Sequence, residues 1–261
     1  MSRTRKLLDK LVSGKISVDE VEKQLKIMSL DSISELATID VNRGTRSGIP
    51  EIIYGETKDS HDISHIVRSM IDTQNVALVT RLTQEKLDVL LTTLDDVEIE
   101  SFGKSPMITA LVTNADWQAE KTTGKIAIIT AGTSDIPYAK EAEALAKLVG
   151  VSVRSYYDIG VSGIHRLIDP IKEIVADDVD AVIVFAGMEG ALPTVVAALV
   201  NIPVIGVPVP TGYGYRGKGE TALSSMLQSC SPGLAVVNIG NGLGAASVAI
   251  LIAKRSAIKR Q

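Results

Sequence analysis

From about Lys121 onward, short apolar runs alternate with helical stretches, and this alternation limits the fold more than any other feature of the chain. The runs are Lys125–Thr130, Ser152–Tyr156, Ala181–Phe185, Pro203–Val209 and Leu234–Ile239. Short, and bounded by Gly, Pro or Asp, they suit strands buried on both faces. Between them the pattern predicts helices at 136–149, 161–177, 190–200, 219–229 and 242–257. Strand, helix, strand repeated in this way implies right-handed crossovers and an α/β fold: a doubly wound, flavodoxin-like parallel sheet of five strands. Ligands of such sheets bind beyond the carboxyl ends of the strands. The loops to follow are therefore AGTSD, DIGVSGIH, AGMEGALP, PTGYGYRGKG and GNGLG.

Residues 1–122 read as a smaller, mixed α/β domain ahead of the regular domain at 123–261. Two short helices are expected at 1–30, one with Leu7, Leu8, Leu11 and Val12 on a single face. The second is capped by Ser17, has Glu20 three residues later, and buries Val21, Leu25 and Met28. Strand-like runs flank a loop rich in Gly and Arg at 36–58; a strand fits Val76–Thr80 and a helix Thr83–Thr92. With 261 residues the chain is long enough to bury a core without staples, and its one cysteine, Cys230, forms no internal bridge. A reducing, cytoplasmic setting is expected, since no run nears a membrane span and the basic start lacks a continuous apolar core. A net charge of −4 argues against coating a polyanion, and 3% aromatic content leaves few rings to stack on bases.

Some glycine patterns mislead. Gly212, Gly214 and Gly217 spell G-x-G-x-x-G, and Gly240, Gly242 and Ala245 its alanine version. A dinucleotide fingerprint also wants an acid about 20 residues later, yet no Asp or Glu follows Glu220. Gly212 to Lys218 fits G-x-x-x-x-G-K, but Gly219 stands where a phosphate loop places Ser or Thr. The segment reads either as a flexible loop or as a phosphate cradle using backbone amides, Arg216 and Lys218. His61 and His65, four apart on an expected helix, lack a third ligand and read as a solvated face.

The strand-end loops concentrate chemistry. Gly132, Thr133, Ser134 and Asp135 open a helix with hydroxyls and free amides suited to an anion, or serve as an ordinary cap. His165 and Arg166 follow the second strand, and Glu189 lies between Gly187 and Gly190 where the third helix is expected to begin. Three such loops on one edge point to a ligand cleft.

The order AGTSDIPYAKEAEALAKLVGVSV, GIHR, AGMEGALPTVVAALVNIPVIGVPV and ETALSSMLQSCSPGLAVVNIGNGLGAA resembles the aminoimidazole ribonucleotide carboxylase/mutase (PurE-like) family over 125–253. The resemblance implies a phosphoribosyl heterocycle as substrate, CO2 as the group moved, and Ser134, Asp135, His165 and Arg166 at the substrate site. Ala191 replaces the histidine that purine-pathway members carry before Leu-Pro. Glu189 stands nearby, Cys230 lies in Leu-Gln-Ser-Cys-Ser-Pro, and about 120 additional residues precede the domain. With DVNRGTRSGIPEIIYGETK, these departures resemble the LarB family of nickel-pincer cofactor biosynthesis over nearly the whole chain. That family is a pyridinium-3,5-biscarboxylic acid mononucleotide synthase. The resemblance implies carboxylation of nicotinic acid adenine dinucleotide (NaAD), release of AMP, assistance by Mg2+, and a homo-octamer.

An electron-poor pyridinium carbon does not attack CO2 until a soft nucleophile has added to the ring. A thiolate adds and leaves readily, so Cys230 is the candidate nucleophile, although a lone cysteine is often an inert core residue. Glu189 is the first choice for the base that removes the ring proton, with Asp135 and His165 as alternatives. Arg43, Arg46, Lys58 and Arg81, with Arg166, Arg216 and Lys218, are candidates to face the phosphates; Gly132, Gly187 and Gly212 are candidates to pass the substrate closely. No residue is assigned to a metal. Cys230 falls in a helix-to-strand loop, away from the strand-end edge, so a site shared between subunits is expected. The alternatives are a purine-pathway mutase and a nucleotide-binding module without turnover.

Overall fold

The computed structural model describes residues 3–21, 30–33, 37–40 and 43–259. In chain order the first half contains α1 (Arg3–Val12), β1 (Leu30–Ile33), β2 (Ala37–Asp40), α2 (Arg43–Ser47), β3 (Ile53–Tyr54) and α3 (Ser60–Gln74). It continues with β4 (Val76–Leu82), α4 (Gln84–Thr93), β5 (Glu98–Phe102) and β6 (Ile108–Thr113). The second half contains β7 (Lys125–Thr130), α5 (Ile136–Leu148), β8 (Ser152–Tyr156), α6 (Ile168–Ala176) and β9 (Ala181–Ala186). It ends with α7 (Leu192–Leu199), β10 (Val204–Pro208), α8 (Glu220–Leu227), β11 (Leu234–Val236) and α9 (Gly242–Lys259).

The five C-terminal strands form a sheet in the order β11-β10-β9-β7-β8, and every pair is parallel. This is the doubly wound α/β architecture expected from the alternating runs. Alternate residues along each strand enter different cores. Ile126, Ile128, Ile183 and Phe185 pack with α5 and α9, whereas Ala127, Ile129, Val182 and Val184 pack toward α6, α7 and α8. All six residues of β9 are buried, because it is central and covered on both faces.

Helix boundaries shift where proline removes a donor. The helix expected from 161 begins as a 3-10 segment, Val161–Leu167, and becomes α-helical only at Ile168. Pro170 has no N–H to give the Arg166 carbonyl, so the α-helical ladder does not extend upstream. Helix α7 begins at Leu192 with Pro193 in its first turn, leaving Glu189 in the loop ahead of it. The fifth strand stops at Val236, short of the expected Ile239.

The first half builds a four-stranded mixed sheet, β3-β4-β6-β5, and a β1-β2 hairpin. Ala77 and Val79 of β4 pack with Ile63, Val67 and Leu90 on α3 and α4. Leu78 and Leu111 instead join the core of the second half. Helix α5 thus lies between two sheets, and its alanines at 139, 142, 144 and 146, all buried, let both approach. Ser17 caps a helical start by accepting the Glu20 amide at 3.1 Å, and Val21 is buried. Leu25 and Met28 lie outside the described residues. Val12 is exposed rather than on a buried face of α1; of its expected partners only Leu7 is buried.

A β-bulge between Val79 and Leu82 turns Arg81 out of the ladder with φ +57°. Its Nε donates to Glu141 Oε1 at 3.0 Å on α5, and a terminal nitrogen donates to the Gly240 carbonyl at 2.7 Å. Glu141 is 1% exposed, and its Oε2 is buried without a hydrogen-bond partner. Burial outweighs the Arg81 charge and pushes the Glu141 carboxyl from 4.5 up to about 7. This pair ties the first sheet to the helix layer of the second. Among the described residues no helix is long and apolar enough to cross a membrane.

Candidate active-site cleft

A cleft of about 380 Å3 opens at the carboxyl edge of the parallel sheet. It spans β7 and β9, where the strand order reverses and the loops diverge to leave a crevice. Ala131, Gly132, Ser134 and Asp135 line it after β7, and Gly160, Val161 and Ser162 after β8. Gly187, Met188, Glu189 and Ala191 line it after β9, and Thr211 and Tyr213 after β10.

Asp135 organises the floor. It ends a 3-10 turn, Thr133–Asp135, and is 3% exposed. Its Oδ2 accepts the Gly132 amide at 2.9 Å, and its Oδ1 accepts the Thr211 hydroxyl at 3.2 Å. Burial pushes this carboxyl above its ordinary value, while the bonds from Gly132 and Thr211 oppose the rise only in part. Asp135 therefore keeps a proton to higher pH than an exposed aspartate does. Glu189 differs: it is exposed on a Gly187–Gly190 turn and has no hydrogen-bond partner among the described residues. One edge of the sheet thus holds one buried and one exposed carboxyl group.

Gly187 is the tight point. A Cβ there would lie 2.6 Å from Thr211 Oγ1 and 3.5 Å from the Val209 carbonyl oxygen. Gly187→Ala is expected to push the Thr211 hydroxyl off Asp135 and to cost about 1–3 kcal/mol. Thermal denaturation should report it as a melting point lowered by roughly several degrees.

The cleft gathers Gly132, Ser134, Asp135, Gly187 and Glu189 from among the residues singled out in the sequence. Thr133 lies on the same turn, and Gly212 packs beside Met188. His165 is exposed in the 3-10 segment and is not a lining residue. Arg166 is bonded to the carbonyl and carboxylate of Asp158, the latter at 3.2 Å. Arg216 and Lys218 are exposed on the loop after β10, both at positive φ. The cations of the first half lie elsewhere within the chain. Arg43 pairs with Glu51, Arg46 with Asp40, and Arg81 with Glu141, while Lys58 sits in the loop after β3.

Cys230 is a free, exposed thiol between α8 and β11 and does not line the cleft. Its flanking residues are fixed: the Thr194 hydroxyl donates to Ser229 Oγ at 2.9 Å, and the Ser231 hydroxyl donates to the Thr194 carbonyl at 3.0 Å. Thr194 is in the first turn of α7, the helix that begins just after Glu189. Sequence reasoning missed Thr211, Tyr213 and Ser162. Their signal is position alone, in the loops that follow β8 and β10.

A parallel α/β sheet with a cleft at its switch point and two carboxyl groups in that cleft is the arrangement of a small-molecule site. The chain belongs to the AIR carboxylase family, whose model matches residues 125–261, and a LarB/PurE-like N-terminal domain matches residues 31–110. An uncharacterized protein of Methanocaldococcus jannaschii is 44% identical, over 96% of each chain. The N5-carboxyaminoimidazole ribonucleotide mutase of Saccharolobus solfataricus is 31% identical, over 51% of this chain and 77% of its own. The mutase of the same name from M. jannaschii is 35% identical, over 49% and 77%.

Proposed function

We propose that the chain is a pyridinium-3,5-biscarboxylic acid mononucleotide synthase of the LarB type. It converts NaAD, CO2 and water to the dicarboxylated pyridinium mononucleotide and AMP. The observation that carries this reading is the union, in one chain, of an AIR carboxylase domain and a LarB/PurE-like N-terminal domain with an exposed lone thiol. The mutases it resembles match only about half of it, and Ala191 stands in the cleft where a histidine is expected of them.

The thiolate of Cys230 adds to a ring carbon, forming a C–S bond while the ring nitrogen takes up an electron pair. The adjacent carbon of this neutral enamine attacks CO2 and forms the new C–C bond. Glu189 then removes the proton from that carbon, and the electrons released expel the thiolate and restore the pyridinium. Its exposed, unpaired carboxylate suits that role; Asp135, buried and more readily protonated, holds the loop in place. Water cleaves the phosphoanhydride, with AMP as the leaving group. Because Cys230 is outside the cleft lining, the reaction requires the thiol of one subunit at the cleft of another, and an octamer supplies such shared sites repeatedly.

Magnesium is implied by the resemblance. Among the described residues no three His, Cys, Asp or Glu side chains gather to hold an ion. No residue is assigned to an ion, and no step is routed through one. An ion carried on the diphosphate belongs to the substrate.

The test is incubation with NaAD, bicarbonate and Mg2+, followed by mass analysis of the products. AMP and the dicarboxylated mononucleotide in equal amounts are expected. Turnover of N5-carboxyaminoimidazole ribonucleotide instead would establish the mutase reading, and NaAD bound without AMP release a binding module.

A further inference from the structure

In a chain with 3% aromatic residues, two tyrosines of the loop after β10 stand largely in solvent: Tyr213 is 81% exposed and Tyr215 83%. The other tyrosines are engaged. Tyr54 bonds to Glu56, Tyr156 to Glu173 and Tyr157 to Glu143, while Tyr138 is half-buried under Arg81. Tyr213 has no hydrogen-bond partner among the described residues, yet it lines the cleft. Arg216 lies 5.7 Å over the Tyr215 ring, and Lys218 follows on the same loop. Both cations hold left-handed backbone, φ +46° and +59°, a conformation unfavourable for residues with side chains. Such strain, beside apolar rings left in water, marks a segment shaped for a ligand.

We propose that Tyr213 and Tyr215 form a stacking platform for the purine base of a nucleotide whose other half enters the cleft, with Arg216 and Lys218 facing the phosphates. Taking that other half as a pyridinium nucleotide rests on the dinucleotide reading above. A cleft of about 380 Å3 is at the small end for ligand sites. It takes one nucleotide half and leaves the second across the mouth, where Tyr213 stands. Rings recognise a base through its face, and Arg next to a ring adds attraction for both base and phosphate.

Binding of AMP alone to the full-length protein tests the platform, with nicotinic acid mononucleotide as the comparison, by calorimetry. The Tyr213→Ala/Tyr215→Ala double variant is expected to bind AMP at least about tenfold more weakly, since each stacked base contributes roughly five- to hundredfold. The mononucleotide should lose clearly less affinity than AMP does, and Tyr213→Phe/Tyr215→Phe should restore AMP binding. The platform is overturned by unaltered AMP affinity, by no AMP binding to wild type, by parallel loss of the mononucleotide, or by a changed oligomeric mass. Product analysis separates the two ideas. If NaAD is not carboxylated but AMP binding follows the rings, the dinucleotide reading fails and the platform stands.

Discussion

Cys230→Ala is expected to abolish carboxylation of NaAD, with a fall in turnover of roughly a thousandfold or more, because the protein has no other thiol. Stability should stay within about 0.5 kcal/mol of wild type, as an exposed side chain is removed and the bonds from Thr194 to Ser229 and Ser231 remain. Steady-state rates beside a denaturation curve separate the two effects. Mixing refolded Cys230→Ala chains with Glu189→Ala chains should return part of the activity if thiol and cleft come from different subunits. Mixed oligomers that form but stay inactive would show that the two groups must share a chain.

The second large effect is on stability and its pH dependence, through Glu141. Its carboxyl is raised from 4.5 to about 7, so the folded state holds the proton more tightly than the unfolded chain does. The stability this contributes is complete below about pH 4.5 and is lost as pH rises through about 7. Glu141→Gln removes that slope. The stability difference between wild type and this variant is expected to shift toward the variant by at most about 3 kcal/mol between pH 4.5 and 8. Glu141→Ala should instead cost roughly 1–3 kcal/mol at neutral pH, because Arg81 Nε loses its acceptor while the guanidinium keeps the Gly240 carbonyl, Tyr54 and Glu56. Urea unfolding at several pH values measures both. Parallel pH curves for wild type and Glu141→Gln would contradict the assignment.

Arg81 also shows where sequence reasoning stops. As one of several Arg and Lys residues in the extension it reads as a phosphate ligand, whereas a bulge in β4 turns it onto Glu141 and the Gly240 carbonyl. That turn depends on pairing with β6, which no local pattern reveals. The parallel sheet is legible because β7, β9 and β10 are buried on both faces and must be apolar throughout. The cleft is partly legible for the same reason: knowing where strands end locates Asp135 and Glu189. Thr211 and Tyr213 escape because their roles come from the approach of three loops, at a Gly187 too crowded for a Cβ. The 3-10 segment before α6 escapes because the apolar pattern continues unbroken across it, and only Pro170 signals the change. The bonds that fix Ser229 and Ser231 to Thr194 arise from tertiary contact alone.

The mass of the intact protein, quenched during exposure to NaAD without bicarbonate, is the decisive measurement for addition of sulfur to the ring. An increment equal to the dinucleotide or its pyridine half, mapped to the peptide containing Cys230 and absent from Cys230→Ala, is the expected result. No covalent increment on the wild-type protein, together with dicarboxylated product formed at the wild-type rate by Cys230→Ala once bicarbonate is supplied, would contradict it.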